Sequence, residues 1–213
     1  MSFHSYGIPA HRVGTWMNVI RSAETAEERY SLLECFWESQ LKSKIWLVEE
    51  LKNVLKKENK TLQGSAYVFG GWHGLNAMFL RDNFPDITTV YSIDVDTNCV
   101  KQGQTLTNYD TRISFITEKM ENFKFYPKDV CLIVNTATEH INQKVFNTWF
   151  DNVPKNVLIA LQGNNFEELK GEHVRTTKTL KEFIKTNKIK KSMYTGELDC
   201  SQFTRFMNIG YKI

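Results

Sequence analysis

Along residues 25–57, apolar side chains recur at three- and four-residue intervals: Leu33, Phe36, Trp37, Leu41, Trp46, Leu47, Leu51, Val54 and Leu55. That spacing lines one face of a helix. Thr25 and Glu28 precede the run at the spacing of a capping box, in which each side chain satisfies the other's free backbone amide. The pattern predicts one long helix, or two with a break near Lys42–Lys44. The polar turn Glu58-Asn59-Lys60 ends it. Such a segment is expected to pack on a sheet edge or to roof a cleft.

From about residue 64 the period changes. Short apolar runs predict strands at Ala66–Phe69, Thr89–Ile93, Ile113–Ile116, Val130–Val134 and Asn156–Leu161. Helical spacing between them predicts helices near Gly74–Asp82, Thr97–Leu106 and Val145–Phe150, with a lysine-rich helix over Thr176–Thr186. The early strands are apolar throughout, as strands covered on both faces must be. Strand–helix alternation predicts a parallel sheet with helices on both sides. The last two strands, Lys191–Tyr194 and Phe203–Ile209, lack a helix-length connection, so they form a closing hairpin and one antiparallel strand enters the sheet. The expected organisation is a helical extension over residues 1–60 and an α/β domain over 61–213.

Composition narrows the picture. The chain has 213 residues, 41% hydrophobic and 24% charged, with a net charge of +3, ordinary for a globular protein. Its mild basicity neither demands nor excludes nucleic acid. Cys35, Cys99, Cys131 and Cys200 are widely separated, and no Cys or His spacing suggests a zinc site, so no metal is expected. The thiols read as reduced and the setting as cytoplasmic. Nothing approaches a membrane span, and Met1–Gly14 does not resemble a secretory signal.

Chemistry gathers at the carboxyl ends of the predicted strands. The first runs into Gly70-Gly71-Trp72-His73-Gly74, where glycines allow a tight turn or close approach of a ligand, and the helix that follows favours an anionic group. The second ends in Asp94-Val95-Asp96, about 20 residues on, where a carboxylate can accept from the vicinal hydroxyls of a ribose. Asp94 is the better candidate; Asp96 can instead cap the helix that starts at Thr97. Met120, after the third strand, can pack against a purine or tuck into the core. The fourth strand ends in Asn135-Thr136-Ala137-Thr138-Glu139-His140. Glu139 or His140 can accept a proton there and Asn135 can orient substrate; a plain helix start capped by Thr138 or Asn142 is the bland reading. Gln162-Gly163-Asn164-Asn165 at the fifth strand end, with Glu172-His173 nearby, can hold a polar substrate or simply turn. Seven basic residues lie in Arg175–Lys191. A solvated helix with Leu180, Phe183 and Ile184 inside explains them better than a phosphate contact does.

The strand order, the turn Val68-Phe69-Gly70-Gly71-Trp72-His73-Gly74 and the acid in Ser92-Ile93-Asp94-Val95-Asp96 resemble class I S-adenosylmethionine-dependent methyltransferases, over about residues 64 to 213. The resemblance implies a Rossmann-like three-layer sandwich with a seven-stranded, mostly parallel sheet, the helices before it being the variable extension. It implies S-adenosylmethionine as cofactor. Gly70, Gly71, Trp72 and Gly74 would face its methionine part, Asp94 and Asp96 its ribose, and Met120 its adenine. Asn135, Glu139 and His140 would border the methyl acceptor. Phe69 or Gly70 stands where the family usually has an acid, and His73 where it has a glycine. The fourth strand lacks the Asn/Asp-Pro-Pro-aromatic ending of enzymes that methylate base amino groups, and no Pro-Cys pair suits cytosine C5 methylation. The Glu139-His140 pair and the polar end of strand five are similar to small, phage-encoded members. The expected partner is a small-molecule or nucleic-acid acceptor, with self-association into a homo-oligomer open. Rival readings are a nucleic-acid-binding or RNA-modifying module, transfer of another group from the same cofactor, and an NAD-dependent oxidoreductase.

Overall fold

The computed structural model describes Ile8 and residues 10–125, 129–168, 171 and 173–213. Three helices come first: α1 (Ala10–Ser22), α2 (Ala26–Glu34) and α3 (Glu38–Glu58). There follow β1 (Gly64–Phe69), α4 (Leu75–Asn83), β2 (Ile87–Asp94), α5 (Thr97–Leu106), β3 (Ile113–Thr117), β4 (Val130–Asn135), α6 (Gln143–Asn152), β5 (Leu158–Asn164), α7 (Leu180–Thr186), β6 (Lys191–Asp199) and β7 (Thr204–Tyr211). The sheet runs β3-β2-β1-β4-β5-β7-β6. The pairings among β1 to β5 are parallel, and β7 runs antiparallel to both β5 and β6. The parallel sheet with helices on both sides and one antiparallel strand matches the strand pattern, and the whole is the Rossmann-like, seven-stranded sandwich that the resemblance implies.

Alternating strand residues serve two cores. Ala66, Val68, Val90, Leu132, Val134 and Ala160 point to one, with α1 to α4. Tyr67, Phe69, Ile133, Ile159 and Leu161 point to the other, with α6 and Phe183 of α7. A strand flanked by two dry layers can carry no polar face, which is why its sequence reads as an unbroken apolar run. Trp149 and Phe146 of α6 are fully buried, each contributing roughly 1.5–3 kcal/mol of transfer energy.

The amino-terminal helices depart from the pattern in two places. Thr25 and Glu28 do form the capping box of α2. The break, however, falls at Cys35–Trp37, and α3 runs through Lys42–Lys44 without interruption. Lys42 pairs with Glu38 at the surface (2.7 Å), while Ser43 and Lys44 turn inward, so the polar run marks a change of face. Helix α1 was not visible in the periodicity. Trp16 anchors it, buried and packed against Phe36 with ring centroids 4.7 Å apart and planes tilted by 34°. Asn59, left-handed at φ 51°, ends α3 where the polar turn was expected.

The fifth strand starts two residues later and ends three residues later than the pattern predicts. Gln162, Gly163 and Asn164, read as a turn, are buried strand residues paired with Met207, Phe206 and Arg205. Gln162 is tied into the fold: its Nε2 donates to Ser43 O of α3 at 2.9 Å and its carbonyl accepts from Thr138 Oγ1 at 2.6 Å, while Oε1 is buried without a hydrogen-bond partner among the described residues.

Candidate functional site

The sheet order reverses between β1 and β4, and in open α/β sheets ligands settle outside the carboxyl ends of the strands at such a point. Here Phe69 lies level with Ile93 on one side and Asn135 on the other, so the loops after β1, β2 and β4 meet.

The loop after β1 is drawn tight by its own hydrogen bonds. Gly71 N donates to Ile93 O (3.0 Å) and Gly74 N to Gly71 O (2.8 Å). Gly70 and Gly74 are left-handed, at φ 64° and 77°. A Cβ at Gly70 would overlap the Ala137 methyl, and one at Gly71 the Ser92 hydroxyl. Both glycines are therefore required by the loop's packing, before any ligand is considered. Trp72 is also left-handed, at φ 48°, a costly state for a bulky residue. That conformation accompanies a backbone N–H that donates to Asp94 Oδ2 at 2.8 Å.

Asp94 closes β2, opposite Thr117 of β3. Its other oxygen accepts from Asp96 N at 3.1 Å. A carboxylate has about four acceptor directions, so two stay open toward a ligand. Asp96 serves as the N-cap of α5: Oδ1 accepts from Asn98 N at 2.8 Å and Oδ2 faces Cys99 Sγ at 3.4 Å. Between its two sequence readings, the cap is what the structure shows.

His73 takes the place of a glycine for a packing reason. Its ring is 1% exposed, lies beside Trp72 and hydrogen-bonds Ser31 Oγ of α2 at 2.9 Å. Burial is the main influence on it and pulls its pKa down to about 4, so the imidazole is neutral.

Met120 sits half-buried in a single 3₁₀ turn, Met120–Asn122, after β3, with Asn135 Nδ2 3.5 Å from its sulfur. Asn135 itself is fully buried, and its Oδ1 accepts from Ala137 N at 3.0 Å. Both ends of the amide are taken, so the residue proposed to orient substrate braces the β4 turn against the Met120 turn.

Beyond it, a 3₁₀ turn carries Thr138, Glu139 and His140, and Asn142 caps α6. Glu139 is 2% exposed. Its Oε1 accepts from Asn164 Nδ2 (2.5 Å) and faces Arg205 Nη1 (3.4 Å). Its carbonyl accepts from Val174 N and Arg175 N, which brings residues 173–175 alongside. His140 is exposed, with its ring 4.7 Å from that of His173. Asn165 joins β5 to β7, accepting from Thr204 N at 2.7 Å. Glu172 lies outside the described residues.

Three cations near Glu139, Lys44 and Arg205 buried and Arg175 half-buried, escaped the sequence reading. Arg175 belongs to the basic stretch but not to its solvated face. Its Nε donates to Gln143 Oε1 (2.7 Å), its Nη1 and Nη2 to Thr138 O and Thr186 O, and its guanidinium lies 3.9 Å over Phe146. Arg205 arrives from β7. Lys44 arrives from α3, where burial and, next, repulsion from Arg205 pull its pKa down to about 7. The other lysines of the stretch are exposed, and Phe183 is its buried face, as expected. A cavity of about 700 Å³ is lined by Tyr67, Tyr91 and Phe123 and reaches Ile116, Glu118 and Asn122 at the end of β3, where Glu118 N donates to Asp94 O at 2.9 Å. The four cysteines are free, and among the described residues no helix is long and apolar enough to cross a membrane.

No protein-family profile and no curated protein matches the chain. Solved structures do. The N-methyltransferase NodS from Bradyrhizobium japonicum, in complex with S-adenosyl-L-homocysteine, is 10% identical, with TM-score 0.64 over 93% of this chain and 98% of that one. MtNAS in complex with MTA and tNA is 11% identical, with TM-score 0.56 over 95% of this chain and 70% of that one. YcgJ from Bacillus subtilis is 10% identical, with TM-score 0.58 over 77% and 98%. A variant of MtNAS in complex with S-adenosylmethionine aligns at TM-score 0.52 and 13% identity, over 93% and 71%. At these identities the likeness is one of fold.

Proposed function

We propose that the protein transfers the methyl group of S-adenosylmethionine to a small or medium polar acceptor, a small molecule or part of a nucleic acid. The observation that carries this reading is Asp94. Its carboxylate is fixed at the end of β2 by the amides of Trp72 and Asp96 and keeps acceptor capacity for two ribose hydroxyls. The fold adds support, because solved structures of similar fold are complexes with S-adenosyl-L-homocysteine and with S-adenosylmethionine.

On this reading the loop Gly70–Gly74 and the start of α4 receive the methionine part, and the turn at Met120 receives the adenine. The acceptor lies over the β4 and β5 ends. The sulfonium carbon is already activated, so the protein's task is to align acceptor, methyl carbon and sulfur. A proton lost by the acceptor goes to the Glu139–His140 pair. His140 is the exposed member, whereas Glu139 is buried with Asn164 and Arg205. The likeness to small phage-encoded members rests on that pair and the polar end of β5 alone.

The test is product analysis after incubation with S-adenosylmethionine and fractionated small-molecule and RNA pools. Accumulation of S-adenosylhomocysteine supports methyl transfer. Methylthioadenosine in its place would assign transfer of the aminopropyl-type arm instead. Thermal stabilisation by NAD, with none by S-adenosylhomocysteine, would contradict both.

A further inference from the structure

We infer that Glu139, His140 and His173 form a binding site for one divalent transition-metal ion, Zn²⁺ or a neighbour in the same row. The two segments are more than thirty residues apart in sequence. Val174 N and Arg175 N clasp the Glu139 carbonyl at 2.8 and 3.0 Å and bring them together. One ligand atom from each side chain lies within 4.8 Å of the other two. A metal bound at about 2.0–2.2 Å from each would need them roughly 3–3.5 Å apart. A change of side-chain rotamer at His140, the exposed member, would bring the ligand atoms to that spacing.

Two further features point to a ligand. Glu139 Oε2 is buried and has no hydrogen-bond partner among the described residues, a state that is expensive for a carboxylate unless something charged meets it. Oε1 is the oxygen held by Asn164 and Arg205, which leaves Oε2 for the cluster and fixes the carboxylate's orientation. His173 is oriented in the same manner. Its Nδ1 lies 2.7 Å from Phe166 O, so the Nδ1–H donates to that carbonyl and Nε2 carries the free lone pair. Ligating histidines are typically held by this arrangement.

Two imidazoles and one carboxylate suit Zn²⁺, Co²⁺, Fe²⁺ or Ni²⁺ better than Mg²⁺ or Ca²⁺, which prefer all-oxygen sets. Three protein ligands leave positions for water or an acceptor oxygen, as in catalytic rather than structural sites. Arg205 and Arg175 stand nearby and oppose a cation, but each is occupied: Arg205 at Glu139 Oε1, Arg175 at Gln143, Thr138 and Thr186. The site does not depend on the methyl-transfer reading; with a metal bound, Glu139 and His140 are its ligands, and their proton-accepting role belongs to the metal-free protein.

The experiment is calorimetric titration of chelator-stripped full-length protein with Zn²⁺ and, separately, Mg²⁺, without any nucleoside, alongside visible absorption of the Co²⁺ form. One Zn²⁺ per chain, no heat from Mg²⁺, and at least a tenfold loss of affinity in both His140→Ala and His173→Ala support the site. Glu139→Gln is a third variant, read only if its circular dichroism matches the parent. No Zn²⁺ binding, or binding of the same strength in both histidine variants, would overturn it. In that event Glu139 and His140 are left as the proton-accepting pair. Failure to bind S-adenosylhomocysteine would leave the metal result untouched.

Discussion

Ser31 of α2 and His73 of the glycine loop are joined by a hydrogen bond of 2.9 Å across 42 positions of sequence. The amino-terminal helices are thereby tied to the loop that carries Trp72, the partner of Asp94. Because burial holds His73 neutral, with its pKa lowered from 6.5 to about 4, the fold pays a cost in acid. Between those two values the unfolded chain binds a proton that the folded chain refuses, so stability falls as pH drops from about 6.5 to about 4 and this contribution is flat below. Its ceiling is on the order of 3 kcal/mol. Urea midpoints at pH 7 and pH 4.5 measure it. His73→Asn is expected to lose less stability on acidification than the parent; an unchanged loss would contradict the assignment. Ser31→Ala should cost about 1 kcal/mol at pH 7.

Gly70 and Ala137 are in contact across the switch point. Gly70→Ala places a methyl group on the Ala137 methyl and forces an L-residue into φ 64°. The left-handed backbone alone costs roughly 1–2 kcal/mol, and the overlap adds about 1–3 kcal/mol. Ala137→Gly in the same chain removes the overlap but not the backbone strain. The double variant should therefore recover part of the loss, read as a positive coupling in a thermal or urea cycle. Strict additivity of the two changes would show that the loops do not touch.

Lys44 follows the same rule as His73 in a higher pH range. Its lowered pKa, about 7, means that the folded state holds an unwelcome charge below that pH. The cost is fully present below about 7 and fades as pH rises toward 10.5, the range in which the unfolded chain alone binds the proton. Lys44→Met keeps the length and removes the charge. It is expected to raise the melting temperature at pH 6 and to raise it less at pH 9. A lower melting temperature at both would show that the hydrogen bond to Gln40 Oε1 (2.7 Å) outweighs desolvation.

These residues also show where the sequence was legible. The glycine turn and Asp94 were readable because both lie within 25 residues and obey local rules: tight turns need glycine, and strand ends present side chains. The strand order followed from apolar runs separated by helices. The cluster around Glu139 was not readable in the same way. Arg205, Lys44 and the neighbouring pair His173 and Arg175 come from three separate segments, and only tertiary pairing brings them to Glu139. Asn135 and Gln162 misled for the converse reason. Amides at a strand end resemble substrate ligands, yet here they satisfy buried backbone and sulfur atoms. Helix α1 stayed hidden because Trp16, Val19 and Ile20 are its only buried hydrophobic residues in thirteen.

The role given to Asp94 is the centre of the account, and calorimetric titration with S-adenosylhomocysteine tests it most directly. Saturable binding of one molecule per chain is expected, weakened at least tenfold in Asp94→Ala, while Asp94→Asn, which keeps one acceptor oxygen, falls between. Because Asp94 also holds Trp72 N, each variant is checked for an unchanged far-ultraviolet spectrum. No heat from the parent protein, or full affinity in a folded Asp94→Ala, would contradict the proposal.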